Sequence, residues 1–250
     1  MTTVRRNPWL VGRQAPGSPE TTLYCFPHSG GIAGEYVRWA PELPGTQVYA
    51  IGLPGRASRT REKPITDMRT LVRTLVDEVP FGESFVLFGH SFGALLAFEV
   101  ARELRDRGLQ EPERLVLSGC PAPQSGIEVL DVTALSDRDI MVRLGDRYGG
   151  IPPEVLDNAE LLTQLAPAFR QDYLLLGRYS FEPGRPLAVP AAIFGGSKDN
   201  VPRERLEQWR ELFEAVPPLR MFDGGHFYFR EDDRRFFSEL RTFLHHQSSR

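Results

Sequence analysis

Cysteine and histidine are scarce in this chain of 250 residues, with two of the first and five of the second. Cys25 and Cys120 make no disulfide framework, and both fall in or beside expected strands, so buried reduced thiols are expected. So few sulfur and imidazole groups leave no ligand set for a structural or catalytic metal. A charge excess is lacking too: a net charge of −3 supplies no basic field for nucleic acid. No apolar run approaches the roughly 18 residues that cross a bilayer, and the charged start Met1-Thr2-Thr3-Val4-Arg5-Arg6-Asn7-Pro8 has no apolar stretch behind it. Neither a membrane association nor a leader is expected, and a cytoplasmic setting is. The length admits one domain with an insertion and is short for two.

What the chain does have is alternation. Strand patterns at 22–26, 47–52, 84–88, 113–119, 190–195 and 218–222 are separated by helical patterns near 33–40, 65–79, 92–107, 202–214 and 232–245. This predicts an α/β fold, a mostly parallel sheet with helices on both faces. The segment through Pro19 is expected either to pair weakly at the sheet edge or to stay mobile.

One stretch is specific. The apolar strand Phe85-Val86-Leu87-Phe88 runs into Gly89-His90-Ser91-Phe92-Gly93 and on into an apolar helix. G-x-S-x-G between strand and helix is the nucleophile elbow of the α/β-hydrolase fold. Glycine at both flanks removes the Cβ atoms that would strike neighbouring backbone, and the helix start favours an oxyanion. Ser91 is therefore the candidate nucleophile. Its base has to be a histidine. His245 and His246 lie in a polar tail. His90 is expected to direct its ring away from the face Ser91 uses, and His28 precedes a glycine pair. His226, after a late strand, is left as the base. The acid falls between them in chain order, and among the strand ends only Gly195-Gly196-Ser197-Lys198-Asp199 carries a carboxylate. Asp199 is preferred. Asp223, three residues from His226, reads as a turn former. The oxyanion donors are expected to be the amides of Phe92 and of Ser29, in the glycine-rich loop Phe26-Pro27-His28-Ser29-Gly30-Gly31.

The interval between the strands at 113–119 and 190–195 is too long for one crossover. Residues 121–185 are read as a helical lid inserted into a core of residues 1–120 and 186–250. Ser136-Asp137-Arg138-Asp139 opens one helix. Leu161, Leu162, Leu165, Phe169, Tyr173 and Leu176 form the apolar stripe of another, with Pro167 as a possible kink. Leu165, Phe169 and Tyr173 are the expected lining of a substrate channel.

Together these segments resemble the type II thioesterases, stand-alone editing hydrolases of polyketide and nonribosomal peptide synthases. The resemblance is carried by Cys25 to Gly31, Leu53-Pro54-Gly55-Arg56, Gly89 to Ala94, Phe169-Arg170-Gln171-Asp172-Tyr173, Gly195 to Asp199 and Gly224-Gly225-His226-Phe227-Tyr228. It implies hydrolysis of acyl thioesters held on the phosphopantetheine arm of acyl or peptidyl carrier proteins, by a monomer that needs no cofactor. Carrier proteins tend to be acidic, so Arg56, Arg59, Arg61 and Lys63 are the expected docking cluster. The family often has alanine where Ser29 stands, and only a backbone amide is needed there. The alternatives are a medium-chain fatty acyl thioesterase, an acyltransferase built on the same serine motif, and a silent binding module of the same fold.

Overall fold

The computed structural model describes residues 7–245. Along the chain come β1 (Leu10–Gly12), β2 (Thr21–Phe26), α1 (Ala33–Val37), β3 (Thr46–Ile51), α2 (Met68–Glu78), β4 (Phe85–His90), α3 (Phe92–Asp106) and β5 (Arg114–Ser118). Three helices follow, α4 (Asp137–Tyr148), α5 (Pro153–Asp157) and α6 (Ala159–Arg178). The chain then returns through β6 (Ala191–Gly196), α7 (Arg203–Glu207), β7 (Leu219–Phe222), α8 (Tyr228–Glu231) and α9 (Asp233–His245). The sheet order is β1-β3-β2-β4-β5-β6-β7, and only β1 runs antiparallel. The expected α/β-hydrolase architecture is therefore present.

The strands read as unbroken apolar runs because both faces are covered. Side chains alternate between the faces. Tyr24, Phe26, Phe85, Leu87, Leu115 and Leu117 pack with Leu71 and Leu75 of α2 and Leu95 and Phe98 of α3. Leu23, Cys25, Val86, Phe88 and Val116 pack on the other side with Tyr36, Trp39, Phe236 and Leu240. Both cysteines are buried and free.

Several expected boundaries shift. The helix expected near 33–40 ends at Val37, and a 3-10 turn at Ala40–Glu42 carries Pro41, which has no N–H to continue the helical hydrogen bonds. The helix near 202–214 is α7 followed by a 3-10 turn, Gln208–Leu212. α6 runs through Pro167 without interruption. Of the N-terminal segment, β1 pairs with β3 at the sheet edge, and residues 1–6 lie outside the described part, as does His246. His245 closes α9 and sits 3.6 Å from Glu20 rather than in a tail.

The central crossing is the elbow between β4 and α3. A Cβ on Gly89 would overlap the carbonyl of Gly93, and one on Gly93 would overlap the carbonyl of Phe26 at the end of β2. Both obstacles are backbone, which cannot rotate away as a side chain does. We therefore expect Gly93→Ala to lower unfolding free energy by more than about 2 kcal/mol, measured by urea titration. Gly177→Ala, in α6 with open space around it, should stabilise by roughly 0.5–1 kcal/mol. Equal effects of the two substitutions would contradict the packing described.

Candidate active site

Ser91 sits at φ 54° and ψ −121°, a region that a non-glycine residue enters only under constraint. The strain is held from both sides: the Ser91 amide donates to Ser118 O at 2.7 Å, and the Ser91 carbonyl accepts from Ala94 at 2.9 Å. Strand register brings the other loops to the same sheet edge. Phe26 lies beside Gly89, His90 beside Ser118, and Gly196 beside Phe222. Ligands of open α/β sheets bind beyond this carboxyl edge.

The loops after β6 and β7 are joined by backbone hydrogen bonds, Ser197 N to Phe222 O at 2.8 Å and Lys198 N to Gly224 O at 2.9 Å. Gly196 makes this approach possible, because a Cβ there would strike the carbonyl of Gly225. The result is a hydrogen bond of 2.8 Å from His226 Nδ1 to Asp199 Oδ2, with both side chains almost fully buried. An ionised carboxylate only accepts, so the proton of neutral His226 sits on Nδ1 and leaves Nε2 as a lone-pair acceptor. Asp223 is exposed and pairs with Lys198 at 2.9 Å, as befits a turn residue. It does not contact His226.

Ser91, Phe92, Ser29 and His226 line one cavity of about 250 Å³, together with Leu95, Ile127, Tyr148, Tyr173 and Leu176. A smaller adjoining space of about 40 Å³ is bounded by Ser91, His226, Tyr148, Phe169 and Tyr173. Cys120 also borders the larger cavity. Burial pushes its thiol up to about 12, so it is a poor nucleophile at neutral pH.

A family model described as the thioesterase domain matches residues 21–247. The chain belongs to the thioesterase family. It is thus a hydrolase acting on thioesters. Gramicidin S biosynthesis protein GrsT of Aneurinibacillus migulanus is 33% identical over 229 residues, covering 90% of this chain and 89% of that one. The type II thioesterase BorB from the borrelidin biosynthetic cluster superposes with a TM-score of 0.85 at 33% identity, over 94% of this chain and 97% of BorB. RedJ, a thioesterase of the prodiginine pathway in Streptomyces coelicolor, gives 0.81 at 31% identity, over 92% and 94%. The resemblance to type II thioesterases read from the motifs agrees with these likenesses.

Around the site of this thioesterase, three expectations need correction. Arg56 is not a docking residue. It is buried and forms a bidentate ion pair with Asp172 of α6. Arg59 is buried as well, stacked 4.1 Å over Trp9, donating to Gly52 O at 2.6 Å and pairing with Glu62. Only Arg61 and Lys63 of that cluster are exposed. Leu165 does not reach the cavity. It packs with Met141, Val155 and Ala166 in a small core between α4, α5 and α6, and Leu161 of the same stripe is exposed. Phe169 and Tyr173 do line the site. A helix packed among other helices can be apolar on two faces, and a single stripe does not say which one meets the cavity.

His90 is fully buried and lines neither of the two spaces bordered by Ser91, as expected of a ring directed away from the face that Ser91 uses. Its ring packs 4.7 Å from that of His226, and its Nδ1 lies 2.8 Å from Ser118 Oγ, which in turn bonds Tyr228 Oη. His90 thus packs directly against His226 inside the core. Sequence reading also missed Tyr148, whose ring lies 4.6 Å from His226. No motif marks it, since it reaches the site only through the fold of α4.

His28 and His90 are held neutral. Burial, then Arg230, His226 and Arg56, bring His28 down from 6.5 to about 3. Burial, then His226, His28 and Arg230, put His90 well below its ordinary value. In the unfolded chain both protonate below about 6.5, so there the unfolded state binds more protons than the folded one. Their contribution is complete above about 6.5 and is lost as pH falls, by up to about 1.4 kcal/mol per unit for each. His28→Gln should flatten the fall of unfolding free energy between about pH 6 and 4.5, measured by urea titration. An unchanged slope would show that His28 takes up no extra proton on unfolding.

Proposed function

We propose that this thioesterase hydrolyses acyl groups from the phosphopantetheine arm of acyl or peptidyl carrier proteins through an acyl-enzyme on Ser91. The observation that carries the reading is the buried His226–Asp199 hydrogen bond in a cavity shared with Ser91. His226 Nε2 takes the Ser91 hydroxyl proton as Oγ attacks the thioester carbon. The amides of Phe92 and Ser29 donate to the carbonyl oxygen as it becomes an oxyanion. When the tetrahedral species collapses, the carbon–sulfur bond breaks and the imidazolium returns its proton to the leaving thiolate. Water then repeats the sequence with His226 as base, releasing the free acid and restoring Ser91. Asp199 keeps the histidine in the required tautomer and stabilises its cation. The chain's own groups suffice for every proton transfer, so no cofactor is required beyond the arm that carries the substrate.

The chemistry of the partner follows from the family likeness. GrsT and BorB are named for the biosynthesis of gramicidin S and borrelidin, and carrier-bound thioesters in such systems are the natural substrates for an editing hydrolase. The cavity of about 250 Å³ selects among acyl groups by size. Each extra methylene buried is worth only about 0.8 kcal/mol, so the selection is graded, and graded selection suits the clearing of varied errors.

Ser91→Ala should reduce release of acid from an acyl-carrier protein by several orders of magnitude in a normally folded chain. Asp199→Asn should reduce kcat by on the order of 10³–10⁴, while Asp223→Asn has little effect. A reversed ranking of the two aspartates would overturn the assignment. For docking, charge reversal at exposed Arg61 and Lys63 should raise KM for an acyl-carrier protein and leave hydrolysis of a small acyl thioester unchanged. Equal change on both substrates, or none, would remove these residues from the interface.

A further inference from the structure

The inserted helix α6 grips the glycine-rich loop after β2 at two points. Asp172, on α6, is 4% exposed. Its Oδ2 accepts from the Gly30 amide at 2.8 Å and from Arg56 Nη1 at 2.9 Å, and its Oδ1 accepts from Arg56 Nη2. Arg56 Nη1 also reaches the Gly31 carbonyl at 3.4 Å. One turn earlier on α6, the Phe169 ring fills the space where a Cβ of Gly30 would stand. Gly30 itself is in left-handed backbone, at φ +69°. It is the residue next to Ser29.

A buried ion pair is a weak device for stability alone, because desolvation of both charges cancels most of their attraction and apolar residues of like volume serve as well. Here one carboxylate oxygen is spent on a loop amide adjacent to the cavity. A charge-assisted bond of that kind fixes direction as well as distance, and the guanidinium fork prevents the carboxylate from turning.

We infer that Asp172 and Arg56 are positioning residues for the oxyanion hole, the Asp172 carboxylate holding Gly30 so that the Ser29 amide stays aimed at the developing oxyanion. This rests on the reading of Ser29 as a donor given above. It also makes the seating of α6 on the loop a condition for catalysis, so the inserted helix completes the site as well as covering it.

Removing one charge would strand the other, so the decisive variant is the double substitution Arg56→Met with Asp172→Leu, which removes both. Three quantities are compared with the wild type: the thermal midpoint, kcat and KM on an acyl-carrier protein, and affinity for a trifluoromethyl ketone analogue of the acyl group. The ketone forms a tetrahedral adduct with the serine. A thioether analogue lacking the carbonyl reports ground-state binding. The expected double variant is folded, with KM and thioether affinity unchanged and with kcat and ketone affinity both reduced roughly 10–100-fold. A folded double variant with wild-type kcat and ketone affinity would overturn the inference. Arg56→Lys keeps the charge but loses the fork, and should lower kcat and ketone affinity several-fold together. Unchanged values there would overturn it equally if the double variant does not fold. If the ketone binds wild type and Ser91→Ala alike, the reading of the site itself fails, and the inference with it.

Discussion

Three backbone segments pass within van der Waals contact at one point: the end of β2, the end of β4 and the start of α3. Gly89 and Gly93 permit the contact, and Ser91 carries the conformational cost, about 1–3 kcal/mol for backbone held at its φ of 54°. The surrounding sheet over-determines that geometry. β4 is flanked on both sides by parallel partners, and α3 is buried along most of its length. A serine on a relaxed turn would leave its hydroxyl free to choose rotamers. On this turn its backbone is fixed at the carboxyl edge of the sheet, where the remaining groups collect.

Those groups come from separate loops, and each is bound to a neighbour before it meets Ser91. The β6 and β7 loops are joined through their backbones, and Gly196 sets how closely they approach. His226 is held by Asp199, and its ring lies among His90, Phe227 and Tyr148. Neutral His90 and His28 matter here. An imidazolium at His90, in ring contact with His226, would oppose any positive charge on His226. Burial keeps His90 neutral, and His28 behind it, so neither ring competes for that charge.

The elbow and the pairing of Asp199 with His226 were legible in the chain because each depends on a local signal. Gly89-His90-Ser91-Phe92-Gly93 specifies its own turn within five residues, and Asp199 and His226 follow strand ends whose position in the sheet the alternation predicts. The Arg56–Asp172 pair spans 116 residues and was not legible: a run of arginines after a strand reads as a solvated cluster until the fold closes over it. Arg59 fails the same way, since Trp9, just before β1, meets it only when β1 joins the sheet edge. The stripe on α6 was read with the correct period, but α4 and α5 claim one side of that helix, and period alone does not apportion the sides.

The central claim is that the acyl group passes through Ser91, in a cavity that also contains a cysteine thiol. Intact-protein and peptide mass spectrometry of the chain quenched during turnover of an acyl-carrier protein tests this directly. Slowing deacylation with His226→Ala after loading from an activated acyl thioester increases the trapped fraction. The account predicts one acyl equivalent on the peptide containing Ser91 and none on the peptide containing Cys120. An adduct on Cys120, or acid released with no adduct on Ser91 under conditions that trap it, would contradict the account.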